Sequence, residues 1–168
     1  MDGILPGPLP EGFRALPGPF RVLLGQDGTL TRSLSFLTGE AVSVEPVSLP
    51  ESVQGLRKVY LRVPSVGRLV FARTRVLAMP PSPDDRWMVS LMKGDLAIGQ
   101  SMEARFGPLQ KEDYAIYASP APFDPDAAEK EGAFWTRSYR MTAASGASLL
   151  IEEFFLQPLL ALAGGSPR

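Results

Sequence analysis

The chain has 168 residues, 45% of them hydrophobic, a formal net charge of −1, and neither cysteine nor histidine. That length fits one domain with a sizeable core, and the residue usage excludes thiol nucleophiles, Ser–His pairs, His bases and nearly all zinc or copper sites, leaving metal-free chemistry or an all-oxygen magnesium or calcium site. Without a basic excess, a transmembrane-length apolar run or a signal-like N-terminus, the expectation is a cytoplasmic protein that binds neither nucleic acid nor membrane.

Residues 1–19 are rich in proline and glycine and read as an extended N-terminal strap, docked through Ile4, Leu5, Phe13 and Leu16. The domain itself is expected over 20–163, followed by a tail at 164–168. Phe20–Leu24 fits a short helix or strand. Leu30, Leu34 and Leu37 have helical spacing, with Asp27 or Thr29 as N-cap and Gly39 as the stop. Residues 41–47 alternate and predict a strand. Leu56–Val63 and Gly67–Leu77 are two strand runs around Pro64-Ser65-Val66-Gly67, a hairpin signal.

After the proline-rich break at 79–85, residues 87–92 read as a short helix and 93–99 as a loop. Residues 100–110 have no clear period. Tyr114–Ala118 and Phe134–Met141 read as strands on either side of a surface loop at 119–132. A turn at 143–146 leads into the last strand, 147–156, and 159–163 reads as a short tail. Five or six strands, mostly joined by hairpins, predict an α+β fold: one domain, an antiparallel sheet of about six strands, helices packed on one face.

Two charges break the alternation. In the last strand Glu152 and Glu153 point to opposite faces, and Glu153 shares its side with Ile151 and Phe155. In the first hairpin strand Arg57 shares its side with Val59, Leu61 and Val63, while Lys58, Tyr60 and Arg62 take the other. A carboxylate on an apolar face is costly unless paired or hydrogen-bonded. An arginine there either snorkels to solvent from a strand end or serves a task. In the second hairpin strand Leu69, Phe71, Arg73 and Arg75 share a side.

The order of short motifs between about residues 20 and 158 resembles the chorismate pyruvate-lyase family, the enzymes that make 4-hydroxybenzoate. The motifs are Asp-Gly-x-Leu-Thr-Arg at 27–32, Val-Ser-Val at 42–44, Leu-Arg-x-Val-x-Leu at 56–61, Ala-Arg-Thr at 72–74, Leu-x-Ile-Gly at 96–99, Trp-x-Arg at 135–137, and the terminal Leu-Leu-Ile-Glu-Glu-Phe-Phe-Leu. The resemblance implies a six-stranded antiparallel sheet with a lidded pocket for an aromatic acid. It implies that Arg57 grips the ring carboxylate, helped by backbone N–H groups near Leu30 and Thr31. It further implies that Glu153 bonds the 4-hydroxyl, that Arg73 meets the departing enolpyruvyl carboxylate, and that Ile98 and Gly99 add a backbone contact. The doubled acid leaves the choice between Glu152 and Glu153 open by one position. Gln100 stands where the family often has a basic residue, and 107–132 is longer and richer in proline than the family pattern.

The implied reaction converts chorismate to 4-hydroxybenzoate and pyruvate, a carbon–oxygen elimination driven by aromatisation that needs no cofactor and no metal. Glu153 would orient the substrate or carry a proton. Two other readings fit the same features: a non-catalytic carrier of small aromatic acids, and a lyase acting on a chorismate relative. The downstream pathway and the oligomeric state, monomer or dimer, are not written in the sequence.

Overall fold

The structure, a computed structural model, describes residues 9–26, 28–49, 55–79, 90–93, 97–118 and 133–164. The expected loop at 119–132, the helix start at 87–89, Ile4, Leu5 and Asp27 lie outside the described residues. A 3₁₀ turn at Phe13–Ala15 precedes α1 (Gly18–Gly25), which has Pro19 in its first turn, where a missing N–H costs nothing. α2 (Leu30–Thr38) ends at Gly39, whose φ of 71° is the left-handed stop expected of a glycine at that place. The segment without clear period becomes α3 (Ile98–Phe106), ended by Gly107 at φ 78°. The segment read as a short tail is α4 (Gln157–Leu162).

Six strands form one antiparallel sheet: β1 (Ser43–Pro46), β2 (Leu56–Val63), β3 (Gly67–Ala78), β4 (Leu109–Ala118), β5 (Ala133–Ala143) and β6 (Ser148–Leu156), in the order β1-β2-β3-β6-β5-β4. β4 and β5 are longer than their apolar runs suggest, because their added residues pair across the sheet, Leu109 with Ala143 and Gln110 with Thr142. Ser65 in the β2–β3 turn bonds through its N–H to Glu40 at 3.1 Å, tying the hairpin to the end of α2.

All described helices cover the same face. Phe20, Leu23 and Leu24 of α1, Leu30 and Leu34 of α2, and Leu159 and Leu160 of α4 pack on Leu61, Val63, Leu69, Val70, Trp135 and Phe155. Met102 of α3 packs on Tyr139, Met141, Leu149 and Ile151 at the other end of that face. Phe13 and Leu16 are buried in the first cluster, so this part of the N-terminal segment belongs to the core. A smaller aromatic cluster, Tyr60, Phe71 and Phe154 with Leu156, lies on the opposite face. Among the described residues no helix is long and apolar enough to cross a membrane.

Phe20 is fully buried, edge-on to Phe155 with ring centroids 5.7 Å apart. Phe20→Ala is expected to lower unfolding stability by about 3–5 kcal/mol, the usual cost of emptying a packed aromatic site. Urea denaturation measures it. A loss under about 1 kcal/mol would mean that α1 is not held on the sheet through this ring.

Candidate functional site

The two helix-covered clusters leave a cavity of about 270 Å³ between them. Its floor is the sheet. Arg57, Val59 and Leu61 come from β2, Ala72 and Thr74 from β3, Ile151 and Glu153 from β6, Tyr139 and Met141 from β5, and Leu109 and Lys111 from β4. Cross-strand pairing explains the set. Arg57 opposes Thr74 and Thr74 opposes Ile151, while Val59 opposes Ala72 and Ala72 opposes Glu153. Directly opposed residues share a face, so these pairs all look into the cavity. Two strand spacings and a two-residue offset put the Cα atoms of Arg57 and Glu153 about 12 Å apart, with both side chains reaching inward.

The roof comes from two helix starts: Gly28, Thr29, Leu30 and Thr31 at α2, and Ala97, Ile98 and Gly99 at α3, with Glu103 one turn further on. In neither helix does the N-cap side chain bond the first turn. The first intrahelical N–H bonds are Ser33 to Thr29 O and Ser101 to Ala97 O, each 3.2 Å. The N–H groups of the first three residues of each helix therefore lie outside the helical ladder, and both helix dipoles present their positive ends to one space.

Arg57 is only 3% exposed, so it does not snorkel to solvent. Of the two neighbouring glutamates Glu153, 6% exposed, is the one that lines the cavity. It forms a buried ion pair with the Nε of Arg137, and its Oε1 accepts from the Tyr139 hydroxyl at 3.3 Å. Leu30, Thr31, Ile98 and Gly99 line the same cavity as Arg57 and Glu153. Arg73 does not. It opposes Lys58 on one side and Glu152 on the other, on the far face, and pairs with Glu152 through Nε at 2.7 Å and Nη2 at 2.9 Å.

Lys111, Tyr139 and Arg137 are functional candidates beyond those named from the sequence. The Lys111 ammonium donates to the Gly28 carbonyl at 3.1 Å and stands 4.7 Å from the centroid of the Tyr139 ring, where it can meet an anion under the roof. Tyr139 stacks on Tyr114, centroids 5.8 Å apart and 10° from parallel. Arg137, fully buried behind Glu153, also reaches the α1 end with Nη1, at 2.7 Å from the Leu23 carbonyl and 3.0 Å from that of Gln26. The Tyr114 hydroxyl donates to the Leu24 carbonyl. The guanidinium thus lies between a carboxylate and the negative end of a helix; burial pulls its pKa down, but the charge and hydrogen bond of Glu153 together with Tyr139 and Tyr114 outweigh this and hold it above the ordinary value. Strand alternation carried the signal for both β5 residues: Arg137 and Tyr139 share a side with Trp135 and Met141.

Among the described residues no group of three or more acidic side chains gathers to hold a metal ion. The arrangement suits a small anion-bearing aromatic: cationic and N–H groups at one side, a carboxylate acceptor at the other, apolar walls between. Comparison with protein-family models finds no match for the chain, and no curated protein matches it.

Burial, then the Glu153 charge, pushes the Tyr139 phenol well above its ordinary pKa. A raised folded-state value means that its contribution to stability is intact below the unfolded tyrosine value of about 10 and is lost as pH rises beyond it. The midpoint of thermal unfolding should therefore fall more steeply between about pH 9 and pH 11 in the native chain than in Tyr139→Phe. Tyr117, raised by burial and then by Glu152, is common to both proteins, so the difference isolates Tyr139. Parallel curves would contradict this placement of the ring.

Proposed function

We propose that this protein is a chorismate pyruvate-lyase with a chorismate lyase-like fold, acting in the cytoplasm to make 4-hydroxybenzoate and pyruvate without a cofactor. The observation that carries the reading is the convergence of Arg57 and Glu153, two charges far apart in sequence, on one cavity. The volume, about 270 Å³, is close to the lower end of small-molecule sites, about 300 Å³. Two uncapped helix starts add N–H donors suited to carboxylates.

In this reading Arg57 binds the ring carboxylate with its planar fork, helped by the α2 start. Glu153 accepts from the ring hydroxyl at the far side of the floor. The second carboxylate, on the enolpyruvyl arm, goes to the α3 start at Ile98 and Gly99 and to Lys111. Arg73 is too far around the sheet for that task. The ether C–O bond to the ring breaks, a ring C–H proton is lost, and the enolpyruvyl methylene gains a proton to become pyruvate. Aromatisation supplies the driving force. The protein's part is to hold the reactive conformer and stabilise charge on the departing group.

Incubating the purified protein with chorismate should yield equimolar 4-hydroxybenzoate and pyruvate. Arg57→Ala and Glu153→Ala should each lower kcat/KM by about 10²-fold or more, the scale of losing a preorganised charge contact. Lys111→Met should raise the KM for chorismate by about tenfold, and Arg73→Gln should change turnover by no more than about threefold. Unchanged chorismate with 4-hydroxybenzoate bound would make the protein a carrier. Pyruvate with a different aromatic product would make it a lyase on a chorismate relative.

A further inference from the structure

Glu153 is held by two side chains, Tyr139 in the cavity wall and Arg137 outside the cavity. Arg137 contributes no surface to the lining. Its Nε holds Glu153 Oε2, while its Nη1 is bonded to the carbonyls of Leu23 and Gln26. Gln26 opens the connection into α2, the same connection whose Gly28 and Thr29 form the roof. One guanidinium therefore touches both the acceptor on the floor and the chain that carries the roof.

We propose that Arg137 is the positioning residue of this site, fixing the Glu153 carboxylate and the Gln26 carbonyl ahead of the roof in one geometry so that the cavity distinguishes an aromatic acid bearing a 4-hydroxyl from one without it. The inference rests on the reading above, that the cavity takes a hydroxylated aromatic acid. A planar fork suits this task. Its nitrogens point in fixed, divergent directions, so a bond to the carboxylate at one edge sets where the carbonyls can lie at the other. Lysine keeps the balancing charge but, as a point donor on a flexible stem, sets no such geometry. Tyr139 spends its one hydroxyl proton on Oε1 and has no second donor for a carbonyl of the roof connection, so it does not duplicate the link.

The test compares the native chain with Arg137→Met and Arg137→Lys. It uses steady-state turnover of chorismate and calorimetric binding of 4-hydroxybenzoate and of benzoate. In the native chain 4-hydroxybenzoate binds more tightly than benzoate. In Arg137→Met the preference collapses toward unity and kcat falls by about 10²-fold, the cost of misplacing a contact by about 1 Å, while benzoate affinity, set by Arg57, stays within about twofold. Arg137→Lys restores part of both losses. Retention of kcat and of the hydroxyl preference in Arg137→Met overturns the inference. So does loss of benzoate affinity in step with the hydroxyl preference, since that is what mere structural damage produces. Where Arg137→Met does not fold, Arg137→Lys decides: native kcat and native preference in it overturn the inference, and a weakened preference with intact benzoate binding upholds it. Failure of the native chain to convert chorismate, with the two acids still discriminated, removes the lyase reading and leaves the positioning role standing. Failure to bind either acid overturns both.

Discussion

Between Leu61 and Arg62 the pairing of β2 with β3 slips by one residue: Leu61 opposes Val70, but Arg62 opposes Arg68. Leu69 and Val70 are both left facing the core, and both are fully buried there. Because strand side chains alternate with a period of two, that single extra residue reverses the face of all that follows in β3. Arg57 consequently meets Thr74 rather than Arg73. Through β3 the same register reaches β6, bringing Glu153 to the cavity face and Glu152 to the opposite one. The composition of the cavity floor thus depends on one bulge near the hairpin turn.

The bulge also sorts four of the charges into two pairs on opposite faces. On the far face Arg73 and Glu152 pair with each other, beside the ring of Phe154. On the cavity face Arg137 and Glu153 pair, with Tyr139 adding one bond to Oε1 and leaving the carboxylate with further acceptor capacity. A buried pair of this kind seldom adds net stability over apolar residues of the same volume, and removing one partner alone is expensive. The cost is accepted at the centre of the sheet, where a Leu or Met would have packed. That makes a role in recognition a better account of Glu153 than a role in stability.

Much of this was legible in the sequence, for reasons particular residues make clear. Alternation marked Arg57 and Glu153 as charges on apolar faces, and the spacing of Leu30, Leu34 and Leu37 with Gly39 marked α2 and its end, leaving its start open between Asp27 and Thr29 as cap. The family resemblance alone carries Arg73 to the cavity; a plain hairpin closing at Val63 and Gly67 would put residue 73 opposite residue 57, and nothing in the sequence announces the bulge that undoes this. α3 was obscure because Gly99 and Ser101 dilute its helical signal. α4 looked like a tail because its few residues show too little of a period, and only Pro158 in its first turn marks a start. Arg137 was within reach: the alternation that exposed Arg57 applies equally to Trp135, Arg137, Tyr139 and Met141.

The floor and roof reach the cavity by different physical routes, and the difference bears on selectivity. The roof offers backbone N–H groups and helix dipoles, which accept any anion of suitable size and carry little chemical discrimination. The floor offers a fork on β2 and a carboxylate on β6, two strand spacings apart across β3, with their separation set by sheet spacing and hence nearly rigid. A ligand that satisfies only the roof gains affinity without orientation. One that spans Arg57 and Glu153 must carry an anion and a hydrogen-bond donor at opposite ends of a flat body, because among the intervening Val59, Ala72, Ile151 and Thr74 only Thr74, directly opposite Arg57, offers a polar side chain. An analogue that lacks the donor would leave the inner carboxylate desolvated without a ligand bond, which costs more than the lost contact alone. In the proposed reading discrimination therefore belongs to the sheet, and the helix starts supply attraction.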